Sequence, residues 1–124
     1  MKYLCLIYGD MQKLGALTKE EMEALRKAGA PRFEELKKSG ALVAGGGLQL
    51  GFHGLGPEHM TIKPGANAPV ITDGPFVETK EQIGGLFIIE ARDLNEALRV
   101  ATLHPAAHMG PGGIEVRPIP YWGG

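Results

Sequence analysis

The chain contains one cysteine, Cys5, in 124 residues. A disulfide framework within the chain and any multi-cysteine metal site are therefore excluded. There is no excess of either charge: 13 basic residues face 14 acidic ones, for a formal net charge of −1. Without a spare basic stripe, the chain has nothing to track a phosphate backbone, so nucleic acid is not an expected partner. No apolar run approaches the roughly 20 residues that a membrane span requires. The opening Met1–Asp10 has a short apolar run that ends at Gly9-Asp10, with no small-residue cleavage site after it. It reads as a first strand rather than a signal peptide, and the expected compartment is the cytoplasm. Glycine (19) and proline (9) are plentiful, but stay just under the roughly 25–30% that marks low complexity. The length suits one domain, 1–124, able to build a core without staples.

Charge outlines the elements. Residues 41–57 carry no Asp, Glu, Lys or Arg, and glycine is frequent there. The change marks a passage from a solvated helix to a strand and a glycine-rich loop. Lys2–Tyr8 is apolar on both faces and predicts a buried strand. Thr18-Lys-Glu-Glu21 is a capping box, which starts a helix near residue 19. Met22, Leu25, Gly29, Phe33 and Leu36 follow at helical spacing as its inner stripe, and Ser39-Gly40 ends it. Pro31 inside this segment predicts a kink or break at Ala28–Pro31.

Ala41–Ala44 begins a second strand, which Gly45-Gly46-Gly47 bends or bulges. His59–Pro64 and Ala68–Thr72 form a hairpin around Gly65-Ala66-Asn67. Gly84–Ala91 is a third main strand, again apolar on both faces. Asp93 caps a second helix with Glu96 at its third position, and Leu94, Ala97, Leu98 and Ala101 are its expected inner face. His104-Pro105 stops it, and Ile114–Ile119 is the last strand.

The order βαβ, hairpin, βαβ is a split-βαβ, ferredoxin-like α+β pattern with a hairpin insertion. Two helices cover one face of such a sheet. The other apolar face needs a second layer, and a second copy of the chain is its simplest source, giving a homodimer.

The most distinctive segment is Thr72-Asp-Gly-Pro-Phe-Val-Glu-Thr-Lys-Glu81. A strand delivers Asp73 to its end, where it can act as a base, orient a histidine or hold a substrate hydroxyl. The plainer reading is an Asx-turn. His104 titrates near neutrality and can move a proton, and a helix cap is its plainer role. His104 and His108 are four apart, but Pro105 lies between them and two ligands do not make a metal site. His53 and His59 are expected at the surface. Gly45 and Gly47 lack a glycine at position 50, so no nucleotide loop is read. Cys5 in an apolar strand reads as an inert buried thiol. Tyr3 and Tyr8 have opposite parity, and Tyr8 is the better site candidate. Tyr121 and Trp122 read as a docked tail.

The string Asp-Gly-Pro-Phe-Val-Glu-Thr-Lys-Glu-Gln-Ile-Gly-Gly, residues 73–85, resembles the signature of the DGPF branch of the YCII-related (YciI-like) family. The opening Met1–Asp10 and the closing Gly113–Ile119 are similar to that family too. The resemblance implies a dimeric α+β barrel and no settled activity. It carries over Asp73, Gly74, Pro75, Phe76, Glu78, Thr79, Lys80 and Glu81. The wider family's His–Asp pair does not carry over. Ala28–Phe33 has no histidine, and His104-Pro105 stands where the family has Asp-Pro.

Two functions remain open at this point. One is a cofactor-free lyase, isomerase or hydrolase for a small cyclic or carboxylated molecule. Asp73 and His104 would move protons there, while Tyr8, Phe76, Glu78 and Lys80 contact the substrate. The other is a metabolite-binding or regulatory dimer using the same pocket without turnover.

Overall fold

Lys2–Asp10 forms β1, which leads directly into a short helix, α1 (Met11–Ala16). α2 spans Lys19–Lys38 and β2 spans Leu42–Gly47. β3 (Met60–Lys63) and β4 (Val70–Asp73) form the hairpin, and β5 follows at Glu81–Glu90. α3 (Leu94–Ala101), a 3₁₀ helix (Pro105–Ala107) and β6 (Gly112–Ile119) complete the chain. This is a computed structural model, and it describes residues 1–48 and 59–123. His53 and most of the glycine-rich loop expected after β2 lie outside the described residues.

The main sheet is antiparallel, in the order β2-β5-β1-β6. The two continuously apolar strands are its central pair, as a ferredoxin-like α+β arrangement requires. Tyr3 and Cys5 of β1 share one face with Phe87 and Ile89 of β5, because Tyr3 pairs with Ile89 and Cys5 with Phe87. These four side chains are buried, together with Leu36 of α2 and Ala97 and Ala101 of α3. Alternation sends Leu4, Leu6, Leu86 and Ile88 to the opposite face, where each is half-buried.

The register breaks once between β1 and β5. Ile7 pairs with Gly85 and Tyr8 with Ile83, so Gly84 is an extra residue, a β-bulge. The β1–β6 ladder runs unbroken beside it, and a Cβ on Gly112 would fall 1.8 Å from the Tyr8 carbonyl oxygen. Only glycine allows that approach.

α2 starts at the capping box. Thr18 Oγ1 accepts from the Glu21 N–H at 3.1 Å, and the Glu21 carboxylate accepts from the Thr18 N–H at 3.0 Å. Its stripe is as expected, with Gly29 and Leu36 buried and Met22, Leu25 and Phe33 half-buried. The expected break at Pro31 is absent, and one helix runs through it. Pro31 is exposed, so water can serve the carbonyl that loses its helical donor. Gly29 lets the 3₁₀ helix approach, since a Cβ there would lie 3.0 Å from Pro105 Cβ.

α3 begins at Asp93, whose Oδ1 accepts from the Glu96 N–H at 2.9 Å. Its inner face differs from the expectation. Ala97 and Ala101 are buried and Val100 packs beside them, while Leu94 (50% exposed) and Leu98 (46%) point outward. The small alanines let the helix lie close to the sheet, which turns the larger leucines toward solvent.

The two faces can be compared by urea unfolding. Leu36→Ala is expected to cost about 2–5 kcal/mol, seen as a lower midpoint at constant slope. Leu94→Ala is expected to stay within about 0.5 kcal/mol of wild type. A large loss at Leu94 would restore it to the core.

Candidate functional site

α1 was not foreseen, and its cause is Asp10. This residue ends β1 and also caps α1, accepting from the Gln12 N–H at 3.1 Å and the Lys13 N–H at 3.2 Å. Its carboxyl is held below the usual carboxylate range, first by the Lys13 backbone bond and then, against the cost of burial, by the Lys80 ammonium. Lys80 Nζ lies 3.5 Å from Asp10 Oδ2. The expected ligand-binding Lys80 thus reaches back to the end of β1. An Asp directly before Met-Gln-Lys-Leu was the available signal for this cap.

His104 sits between α3 and the 3₁₀ helix. Its ring lies flat on Phe87, with centroids 4.7 Å apart and planes 8° apart. Phe33 meets it edge-on at 5.8 Å and 85°. Nδ1 accepts from the Ala106 N–H at 3.0 Å, so His104 caps the following turn rather than the end of α3. His108 takes that second task, with Nε2 2.7 Å from the Thr102 carbonyl oxygen. With Nδ1 accepting, the neutral His104 ring carries its proton on Nε2. Burial lowers the His104 pKa.

His104 lines a cavity of about 360 Å³ between the sheet and α2. Ile7 and the stretch 84–87 form its floor, Gly45–Gly47 of edge strand β2 form one side, and Phe33 faces them. A second cavity of about 200 Å³ adjoins it across Ile7 and Gly84. Tyr8 lines this second space with Met11, Leu14 and Met109. The bulge at Gly84 therefore lies where the two cavities meet.

Asp73 lies elsewhere. It ends β4, opposite Met60, and is exposed. The turn after it is closed by the Gly74 N–H on the His59 carbonyl (2.6 Å) and by Thr61 Oγ1 on the Gly74 carbonyl (2.8 Å). An Asx-turn is not what shapes it. Among the described residues, no hydrogen bond joins Asp73 to His104. Phe76 is 71% exposed, with Lys63 Nζ 4.8 Å from its ring centroid, and Glu78 is exposed as well. The structure therefore brings His104 to a cavity and Tyr8 to its neighbour. It leaves Asp73, Phe76 and Glu78 on the hairpin arm.

Cys5 is fully buried, and burial pushes its thiol up to about 11, as suits an inert side chain. Tyr121 is 87% exposed, while Trp122 rests under Lys2, whose Nζ is 5.4 Å from the ring centroid. No helix among the described residues is long and apolar enough to cross a membrane.

Residues 1–123 match the family model described as a YCII-related domain. An uncharacterized protein of Rhizobium meliloti (strain 1021) is 32% identical over 124 aligned residues, spanning 96% of this chain and 92% of its own length. The chain belongs to the YCII-related family.

Burial of His104 sets a pH dependence. Its folded pKa lies below the ordinary value of about 6.5, so the unfolded chain takes up the proton first as pH falls. This contribution to stability is whole above about pH 6.5 and is lost as pH drops toward the lower folded value. His104→Phe is expected to flatten the unfolding free energy between pH 7.5 and the onset of carboxylate titration near about pH 4.5. An unchanged slope would mean that His104 protonates equally well in both states.

Proposed function

We propose that this YCII-related protein binds a small molecule in the His104 cavity and acts as a cytoplasmic homodimer without a resident cofactor. One observation carries the reading. A neutral imidazole, with Nδ1 already tied to the Ala106 N–H and no hydrogen bond at Nε2 among the described residues, lines a largely apolar cavity. Mostly apolar walls with one polar side chain among the described residues suit recognition of a small molecule.

The half-buried sheet face carrying Leu4, Leu6, Leu86 and Ile88 supports pairing with a second copy. The resemblance of residues 73–85 to the DGPF signature supports the same dimeric α+β barrel. Acid–base catalysis is the second form of this reading, and it requires Asp73 beside a His104. One observation favours it: the arm bearing Asp73 also carries Ile62 (67% exposed), Ile71 (64%) and Phe76 (71%) in the open. Such an arm fits a role at a partner's cavity. Asp73 and His104 would then exchange protons in lyase, isomerase or hydrolase chemistry, with Tyr8, Phe76, Glu78 and Lys80 around the substrate.

A thermal-shift screen of small metabolites tests both forms. A ligand at a hundred times its Kd is expected to stabilise the wild type by about 2.7 kcal/mol. His104→Phe is expected to lose the shift. Asp73→Asn should keep it and, in the catalytic form, stop consumption of the compound. A shift that survives His104→Phe would remove His104 from the site. Sedimentation is expected to give twice the 13.2 kDa protomer mass, and a monomer would remove the partner-arm form.

A further inference from the structure

The His104 cavity also constrains what can enter it, given that it is the binding site. Its described walls carry no Asp, Glu, Lys or Arg. A carboxylate or phosphate moving inside would meet neutral polar groups and no counter-charge among the described walls, which does not offset the desolvation of a charge. An uncharged molecule loses far less. A carbonyl oxygen on it has the lone pair that an Nε2–H donor needs.

The cavity also favours a flat shape. On one side stand aromatic surfaces, with His104 stacked on Phe87 and Phe33 at its edge. On the other side is backbone without side chains. Two of those glycines have a packing reason. A Cβ on Gly45 would lie 3.1 Å from Phe87 Cβ, and one on Gly85 would lie 3.2 Å from the Gly46 carbonyl oxygen. Gly47 has no such reason. A Cβ there meets nothing within 4 Å among the described residues, and its φ is not in the left-handed region. Gly47 pairs with Gly85, which pairs with Ile7, so that Cβ would stand on the face that carries the cavity. The absent methyl widens the cavity and relieves no contact among the described residues.

We propose that the cavity takes a flat, uncharged, carbonyl-bearing ring compound, its face against the bare backbone at Gly47 and its carbonyl accepting from His104 Nε2–H. This rests on the His104 cavity being the ligand site, and it names the class of ligand. It replaces the carboxylated alternative considered from sequence.

Chromone is a suitable probe, with chromone-2-carboxylate as the charged analogue and naphthalene as the ring without an acceptor. Binding is followed by NMR at the His104 ring nitrogens and the Gly47 amide, for the wild type and for Gly47→Val. Chromone is expected to shift both signals saturably, and each of the other two probes to bind about tenfold more weakly or worse. Gly47→Val is expected to lose chromone binding while its thermal midpoint stays level or rises, because a strand gains by losing a glycine. Gly47→Ala, a smaller intrusion, serves if the valine variant does not fold, and is expected to weaken binding in the same direction.

Equal or tighter binding of the carboxylate at the same signals would overturn the neutral class and leave the cavity as the site. Equal binding of naphthalene would overturn the carbonyl contact. Wild-type affinity in a folded Gly47 variant would overturn the bare-wall argument. If no probe moves the His104 signals, this inference fails. If compounds that do stabilise the protein also leave those signals still, the cavity itself is not the ligand site.

Discussion

The pairing of β1 with β5 is the constraint on which the other elements depend. It lays Tyr3, Cys5, Phe87 and Ile89 side by side on one face, the face that the helices cover. α2 seals that surface with Leu36, and α3 does so with Ala97 and Ala101. The 3₁₀ helix then packs against α2 through Gly29. His104 enters this arrangement by lying on Phe87. The same phenylalanine is thus a core residue on its strand and the platform for the imidazole. Stability and the candidate site share it, so a change at Phe87 cannot affect one and spare the other.

Electrostatics plays a narrower part. Among the described residues Asp10 is the one buried carboxylate, and it answers to the Lys13 backbone amide before it answers to the Lys80 ammonium. Its contact with Lys80 ties the end of the signature segment to the point where β1 becomes α1. The Met11 N–H on the Lys80 carbonyl, at 3.4 Å, makes a second link there. This part of the signature segment is held to the domain by polar contacts, whereas its Phe76 remains open.

Much of the fold was legible because local signals and burial agree. The capping box at Thr18, the cap at Asp93 and the two doubly apolar strands each depend on a few adjacent residues. What escaped depends on more distant ones. Asp10 looks like a strand stop until the amides of Gln12 and Lys13 are seen to need an acceptor. Pro31 looks like a break until its exposure is known. Leu94 and Leu98 look like core because they are large, yet the sheet selects the smaller Ala97 and Ala101 for close approach. For the site, the residue type of His104 and its local cap on Ala106 lie in one stretch, but its ring partners Phe33 and Phe87 come from two distant segments. No local pattern joins those. Asp73 shows the converse: a distinctive motif marks the residue, and its place on a projecting arm is a property of the tertiary structure.

The bulge at Gly84 has one more consequence. Ile7 pairs with Gly85 and Tyr8 with Ile83, so the ladder between the central strands skips residue 84. A chain one residue shorter at this point would keep every other pair of that ladder and both faces of β5. It would lose the slack where the two cavities meet and the Gly84 carbonyl that accepts from the Leu48 N–H at 2.9 Å. Length at this position can therefore vary while the β1–β5 ladder is kept, at the cost of one backbone bond beside β2, and a lineage could alter the junction between the cavities by a single-codon insertion or deletion.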